Sequence, residues 1–257
     1  MLQRVQPCVK ISIITVAFNA ANTIAETLDS VAAQSHRDIE HIVIDGASRD
    51  GTQRIVREMG RQVTKFVSEP DCGIYDAMNK GIALATGDLI GILNADDHYA
   101  DHNVLARVST TMEGETLDAL YGDVGFYRTE RPAKIVRRYR SNHFSPRNIA
   151  WGWMPAHPTL FLRREIYQRV GYFRTDYQIA GDFEFIARVF TRQALRARYL
   201  PEILVLMRIG GISTAGWRNS ILLNREVLRA CRENGVNTNV LKILSKYPMK
   251  LLERIIN

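Results

Sequence analysis

Cysteine is scarce. The chain of 257 residues has 3, Cys8, Cys72 and Cys231, far apart and without C-x-x-C spacing. That excludes a disulfide framework or a paired zinc site and leaves reduced structural thiols. Long apolar runs are missing as well: no stretch approaches the roughly 20 residues that cross a bilayer, and the opening segment MLQRVQPCVK is polar before the first apolar run. The expectation is a cytoplasmic protein without a signal peptide. Glycine is absent from Val16–Thr23, directly after that first run. This counts against the G-x-G-x-x-G loop of a dinucleotide-dependent oxidoreductase, and against a glycine-rich triphosphate-binding loop.

What is present is an ordinary globular composition, 46% hydrophobic and 24% charged, in a length that suits one large domain or a domain with a modest appendage. The formal net charge of +7 and the pI near 9.4 suit an anionic partner: a nucleic acid, an acidic membrane surface or a phosphorylated substrate. The distribution is uneven. Acidic motifs occupy the first hundred residues, while Lys and Arg gather in Arg128–Arg147, Arg163–Arg198 and the C-terminal tail. A nucleic-acid-binding module would interleave basic and aromatic residues, whereas the strongest motifs here are acidic, so no nucleic-acid partner is expected.

The first hundred residues repeat one unit: an apolar β-branched run, a turn of small polar residues, then a helical pattern. That rhythm predicts a parallel sheet. The expected strands are Ile11–Ala17, His41–Ile44, Lys65–Val67 and Leu89–Leu93. A helix is expected to start near Thr23, where Thr23 and Glu26 have capping-box spacing, and another after Asp50-Gly51-Thr52. Beyond Asp97 the pieces shorten to Leu120–Tyr127, Ile135–Tyr139 and Thr159–Leu162. Residues 140–158 show no period and read as a mobile covering loop or as irregular packed chain. Trp217–Glu233 and Val240–Ile256 read as amphipathic helices.

Several constellations carry chemistry. Thr15-Val16-Ala17-Phe18-Asn19 ends the first strand, where open α/β sheets bind ligands; a plain strand-to-helix turn is the alternative. Asp45-Gly46-Ala47-Ser48 closes the second strand, and the Asp45 carboxylate, which only accepts, suits the N3–H of a uracil ring; ordinary turn chemistry is the alternative. Asn94-Ala95-Asp96-Asp97 ends the fourth strand. Adjacent carboxylates there repel unless a cation lies between them and a ligand, and Mg²⁺ or Mn²⁺ prefers such oxygen donors together with diphosphate. Asp97 is the expected direct ligand, with Asp96 on the ribose or the metal; a helix-capping turn is the alternative.

Taken in order, TVAFNA, DGASRDGT, SEPDCGIYDAMNKGIALATGD and LNADD, between Ile11 and Asp97, closely resemble the family 2 glycosyltransferases of bacterial polysaccharide assembly. Four motifs in this order are specific where any single one is not. The resemblance implies an α/β GT-A (Rossmann-like) fold, with a mixed, mainly parallel sheet flanked by helices and C-terminal helices. It also implies a nucleotide-sugar donor, with UDP favoured over GDP or dTDP, and inversion at the anomeric carbon. On this reading Thr15, Ala17, Asn19, Asp45, Ser48, Asp76, Lys80 and Asp96 line the donor site, and Asp97 and Asp96 hold the metal. Asn79 and Lys80 also fit a solvated helix face. The expected division is a GT-A domain over 1–215, with a nucleotide-sugar-binding half at 10–100 and an acceptor-side half at 101–215, then a helical extension over 216–257. A sugar nucleotidyltransferase is the rival reading, which the glycine-free Val16–Thr23 disfavours.

The acceptor side rests on Gln178-Ile179-Ala180-Gly181-Asp182-Phe183-Glu184-Phe185. Glycosyl transfer needs a carboxylate to take the proton of the attacking hydroxyl, and Asp182 matches the family's base. Relatives often carry Glu-Asp, and here Gly181 replaces that Glu. Glu184 is the runner-up base. His157, before Pro158, is an acceptor-side or positioning residue or else a packed histidine. Gly210-Gly211-Ile212-Ser213-Thr214 resembles the family's diphosphate loop, with Gly211 and Ser213 presenting donors to phosphate; an ordinary turn is the alternative. The last helix mixes Leu241, Leu244, Leu251, Leu252, Ile255 and Ile256 with Lys242, Lys246, Lys250 and Arg254, as a helix lying on an anionic membrane would. A helix docked on the core fits the same pattern. The expected acceptor is a saccharide, free or linked to a polyprenyl diphosphate, with peripheral contact to the inner membrane face.

Overall fold

Seven consecutive buried residues, ISIITVA, form β1 (Ile11–Ala17). A strand with both faces covered reads as a continuous apolar run, and β1 lies between two parallel neighbours, β2 (Ile39–Asp45) and β4 (Leu89–Asn94), with β3 (Val63–Ser68) outside β2. Parallel pairs need crossovers, supplied by α1 (Ile24–Ala32), α2 (Thr52–Met59) and α3 (Ile74–Leu84). The computed structural model describes residues 9–129, 131–209 and 216–245.

The remaining elements are β5 (Asp97–Tyr99), α4 (Val104–Gly114), β6 (Ala119–Arg128), β7 (Arg131–Tyr139), β8 (Phe161–Arg163), α5 (Arg164–Val170), α6 (Gly181–Arg192), β9 (Ala197–Arg208) and α7 (Gly216–Glu233). Among the described residues the strands form one nine-stranded sheet, in the order β3-β2-β1-β4-β8-β6-β9-β5, with β7 on β6. The β4–β8, β6–β8, β6–β7 and β5–β9 pairs are antiparallel. The sheet is therefore parallel in its first half and mixed beyond β4.

Register positions the site. Ala17 lies opposite Asp45, Asp45 opposite Ser68, and Val16 opposite Asn94, so the four acidic or polar turns open at one edge. Alternate residues divide between two cores, as the pleat requires: Ile14, Val16, Ile42, Ile44, Ile90 and Ile92 join α3, α5 and α6 on one side, and Ile11, Ile13, Leu89 and Leu93 join α4 on the other. Val227, Ala230 and Cys231 of α7 enter the first of these clusters beside Phe183 and Phe185 of α6. The helix expected to begin a C-terminal extension is thus built into the main core.

One expectation changes, and one choice between alternatives is decided. The capping box does not form: the Thr23 hydroxyl donates to the Ala20 carbonyl at 3.3 Å and caps no amide, because Glu26 is drawn to Arg208, 2.9 Å away. Residues 140–158 are irregular but packed, with Ser141 Oγ donating to the Gly122 carbonyl at 2.7 Å and accepting from Ala156 N at 3.1 Å.

Away from the ligand edge, Glu40 is buried near the start of β2. Ser12 Oγ donates to it at 2.6 Å, Thr86 N at 2.7 Å, Thr86 Oγ1 at 2.9 Å and Lys65 Nζ at 3.2 Å. Burial alone raises its carboxyl, but these donors more than offset that and bring it from 4.5 down to about 2. A depressed acid contributes stability that is present above its unfolded value and lost as pH falls through the folded one. Replacing Glu40 by Gln is therefore expected to cost about 1–3 kcal/mol at pH 7. Urea unfolding should show the gap to wild type closing between pH 4.5 and about 2.

Candidate active site

The β1 and β2 turns are tied to each other by side chains. Asp45 is fully buried at the end of β2. Ser48 N donates to its Oδ2 at 3.0 Å, the Ser68 hydroxyl to the same oxygen at 2.7 Å, and the Ser48 hydroxyl to Oδ1. A carboxylate offers about four acceptor positions, and these three donors leave one on Oδ1 unused. Ser48 Oγ also accepts from Asn19 N at 2.7 Å. Asn19 is left-handed (φ 49°), a conformation Asn tolerates, and its Oδ1 accepts from Arg49 N at 3.0 Å. The Ala17 carbonyl accepts from Gly46 N at 2.9 Å.

Thr15 does not reach this surface. It is fully buried within the sheet, between Val43 and Leu93, with its hydroxyl 3.0 Å from His41 Nε2. Phe18, in the same motif as Thr15 but with no role expected of it, is 68% exposed beside this turn. A Cβ on Gly46 would collide with Asp71 and lie 3.2 Å from the Phe18 ring, so an exposed aromatic face overhangs the Asp45 turn.

At the next strand end Asp96 is exposed and Asp97 is buried. Asn94 Nδ2 donates to Asp97 Oδ2 at 3.3 Å, whereas Asp97 Oδ1 and Asn94 Oδ1 are buried without any hydrogen-bond partner. Burial, and then the charge of Asp96, push the Asp97 carboxyl well above the usual carboxylate range. Buried oxygens short of donors are costly. Two of them in one turn, both hard ligands, fit Mg²⁺ or Mn²⁺. Among the described residues no group of three His, Cys, Asp or Glu side chains could hold a metal. The donor set thus suits an ion that takes one or two carboxylates and completes its shell with water and phosphate.

The long central motif runs from Ser68, the last residue of β3, through α3. Lys80 is drawn back over the connecting loop, with Nζ 2.8 Å from Glu69, 3.5 Å from Asp76 and 2.9 Å from the Pro70 carbonyl. Asp76 Oδ2 accepts from Cys72 N at 3.1 Å. Asn79 is not on a solvated face, because its amide pairs with the Phe173 backbone in both directions, at 2.8 and 2.9 Å. Tyr75, buried on the same helix, donates to the Ile179 carbonyl at 2.7 Å. A Cβ at Gly181 would fall 2.7–2.9 Å from its ring, which explains glycine at this place in the acceptor motif.

Asp182 stands in the first turn of α6, partly exposed, and its Oδ1 accepts from Phe183 N at 2.7 Å. Burial, with a contribution from the charge of Glu226, moves its carboxyl up to about 6. Glu184 is spent elsewhere: it is buried in a two-oxygen ion pair with Arg188, each contact 3.0 Å. His157 is a packed histidine, its ring edge-on to Phe173 and held neutral by burial, its value lowered to about 4. Phe173 in turn stacks on Tyr75. The expected diphosphate loop with Gly211 and Ser213 lies outside the described residues.

A parallel sheet edge carrying the buried Asp45 turn and the paired-carboxylate turn, with Asp182 beyond it, is an arrangement that suits a GT-A glycosyltransferase. The model for glycosyl transferase family 2 matches residues 12–195, and the chain belongs to that family. A PGL/p-HBAD biosynthesis glycosyltransferase of Mycobacterium bovis is 31% identical over 208 residues, 79% of this chain and 78% of its own. An uncharacterised glycosyltransferase of Mycobacterium tuberculosis is 34% identical over 181 residues, 69% of this chain and 68% of its own. Among solved structures, S. aureus TarS 1-349 in complex with UDP-GlcNAc has a TM-score of 0.69 at 18% identity, over 86% of this chain and 66% of that one. The chain spans 39% of the longer TarS chain. The mannosyltransferase PcManGT of Pyrobaculum calidifontis, in complex with GDP-Man and Mn²⁺, has a TM-score of 0.63 at 21% identity, over 87% of this chain and 65% of that one. These structures share the GT-A fold. Family membership displaces the nucleotidyltransferase reading.

The Asp97 geometry has a two-sided consequence. An acid whose folded value is raised loses stability as pH rises from its unfolded value towards the folded one. Replacing Asp97 by Asn is therefore expected to leave the metal-free protein at least as stable as wild type at pH 8. Mn²⁺ with a nucleoside diphosphate is expected to raise the melting temperature of the wild type, and the same variant should lose that rise. Differential scanning fluorimetry reads both, and an unchanged Mn²⁺ response in the variant contradicts the site.

Proposed function

We propose that this chain transfers a sugar from a UDP-sugar to a hydroxyl of a lipid-linked saccharide, in one displacement that inverts the anomeric carbon. The observation that carries this reading is Asp182: a partly exposed carboxyl moved up to about 6, on a helix start that packs against Tyr75 of the donor-motif helix. A base of that strength is mostly ionised at neutral pH yet still accepts a proton readily.

Asp45 would receive the imide of the nucleobase on its remaining acceptor position, and Phe18 offers the base a face to stack on. Asp97, with Asp96, would hold Mg²⁺ or Mn²⁺, which when bound supplies positive charge to the diphosphate leaving group. Asp182 takes the proton of the acceptor hydroxyl as its oxygen attacks the anomeric carbon from the side opposite the departing diphosphate. Asp76 and Lys80 shape the donor side through the Glu69–Asp71 loop that Lys80 closes.

The lipid-linked acceptor and peripheral attachment to the inner membrane face are supported by relatives named for PGL/p-HBAD biosynthesis and by the surface near the C-terminus. Residues 240–245 are helical, and Val240, Leu241 and Leu244 are 51%, 80% and 42% exposed, beside Trp151 at 42%. Lys242 lies over the Trp151 ring, 5.7 Å from its centre, the mixture of apolar and cationic groups that suits an anionic bilayer. No helix among the described residues is long and apolar enough to cross a membrane.

A panel of UDP-, GDP- and dTDP-sugars with Mn²⁺, read by thermal shift and by nucleotide release, should select a UDP-sugar. Asp182→Asn is expected to lower transfer by about 10²–10⁴-fold with UDP affinity nearly unchanged; full activity in that variant contradicts the assignment. In the wild type kcat/KM should rise with pH through about 6 as Asp182 ionises. Flotation on phosphatidylglycerol vesicles should be lost in Leu241→Glu, whose site is too exposed for the change to disturb the core; equal flotation of both proteins argues against membrane contact.

A further inference from the structure

The segment entering α6 is gripped by α7. Glu226 of α7 is only 7% exposed, and its carboxylate faces the chain just before the helix. Oε1 accepts from Gln178 N at 2.8 Å, and Oε2 from Ile179 N at 2.9 Å and Ala180 N at 2.8 Å. Three successive amides converging on one anion form a nest, here filled by the protein's own side chain. On the outer side Arg229 of α7 binds the carboxylate of Asp176, and Glu233 takes the Tyr177 hydroxyl and the Arg174 guanidinium, each at 2.7 Å. From α3 the Tyr75 hydroxyl holds the Ile179 carbonyl. The peptide is thus fixed by its N–H groups on one side and by a C=O on the other, two residues before Asp182.

Satisfying three amides does not in itself require a charge, since neutral acceptors or water serve that purpose. The same carboxylate of Glu226 also places a like charge near Asp182.

We propose that Glu226 is a positioning residue for Asp182: through the amides of residues 178–180 it fixes where α6 begins, and so where the Asp182 carboxylate is presented. The inference rests on Asp182 being the base. The charge of Glu226 acts in the same direction as burial on the Asp182 carboxyl and strengthens it as a proton acceptor. Among the described residues, the titratable groups that bear on Asp182 are Tyr75 from α3 and Glu226 from α7, while Glu184 on its own helix is turned into Arg188.

The test compares Glu226→Gln with Arg229→Gln, which breaks the same α7 contact without touching the nest. Three quantities are read: the carboxyl ¹³C titration of Asp182, its signal identified by its absence in Asp182→Asn; hydrogen exchange of the amides of residues 178–180; and affinity for UDP with Mn²⁺. In Glu226→Gln the Asp182 midpoint should move below the wild-type value, the three amides should lose about tenfold protection, and UDP affinity should hold within about twofold. Arg229→Gln should change none of these. An unmoved Asp182 titration in Glu226→Gln, or an equal movement in Arg229→Gln, overturns the proposal. Should Glu226→Gln not fold, Glu226→Asp keeps the charge on a shorter arm, and the amides should loosen while the titration stays near wild type; tight amides with a shifted titration contradict it. Sugar transfer surviving in Asp182→Asn overturns the base assignment and this proposal with it, whereas loss of transfer there beside an unmoved titration in Glu226→Gln overturns this proposal alone.

Discussion

A carboxylate withdrawn from water must be given donors, and the supply of donors decides what each buried acid in this protein can do. Glu40 is supplied in full, by Ser12, Thr86 and Lys65, and its carboxyl falls to about 2. It is fixed as an anion and holds strands together. Asp45 has three donors and one remaining position, and so serves as an organised acceptor. Asp97 receives one long bond from Asn94 and keeps an orphaned oxygen. Asp182 receives one amide and sits near 6. The under-supplied acids are the ones on which metal and proton chemistry can be built, because their unmet demand is met by an ion or a proton.

That gradient follows the direction of the strands. Parallel register places every β-to-α turn of the first half at the same edge, so Asp45, Asn94 and the residues after them arrive there by topology. Glu40 lies towards the opposite end of β2, where Lys10 and Lys65 can reach it. Beyond β4 the sheet turns antiparallel through β8 and β6, and the later chain returns across it as α6 and α7. Asp182 is therefore positioned by helix packing rather than by a strand end. This explains why its surroundings come from three separate elements, α3, α6 and α7.

The donor edge was legible in the sequence because its signals are local. Each apolar run is followed within a few residues by the turn that carries the chemistry, and β1 forms with the bounds read from its pattern, Ile11–Ala17. Within those motifs residue type alone did not give side-chain direction. Thr15 turns to His41 inside the sheet and Asn79 to the Phe173 backbone, because pairing partners distant in sequence claim them, while on α6 Glu184 is claimed by an arginine one helical turn on. The long β9 escaped notice since Pro201 interrupts its run and proline demotes a strand. It is tolerated here, where β6 and β9 pair through a register shift between Tyr121 and Asp123. Glu226 had no signature at all: one acid on an amphipathic helix reads as surface until the chain 46–48 residues earlier is seen to fold against it.

Gly181 shows how the donor and acceptor halves constrain each other. The family pattern at this place is often Glu-Asp, and here Gly181 stands where that Glu would be, with Asp182 kept. In the folded chain any Cβ at 181 meets the Tyr75 ring within 2.9 Å, and Tyr75 is held in place by its bond to Ile179 and by stacking on Phe173. A side chain at 181 would have to displace the ring that ties the donor helix to the segment entering α6. Glycine here is the condition for close approach of α3 and α6. What the chain gives up in a second acidic side chain it recovers as a rigid connection between the helix of the donor motif and the carboxylate proposed to accept the proton.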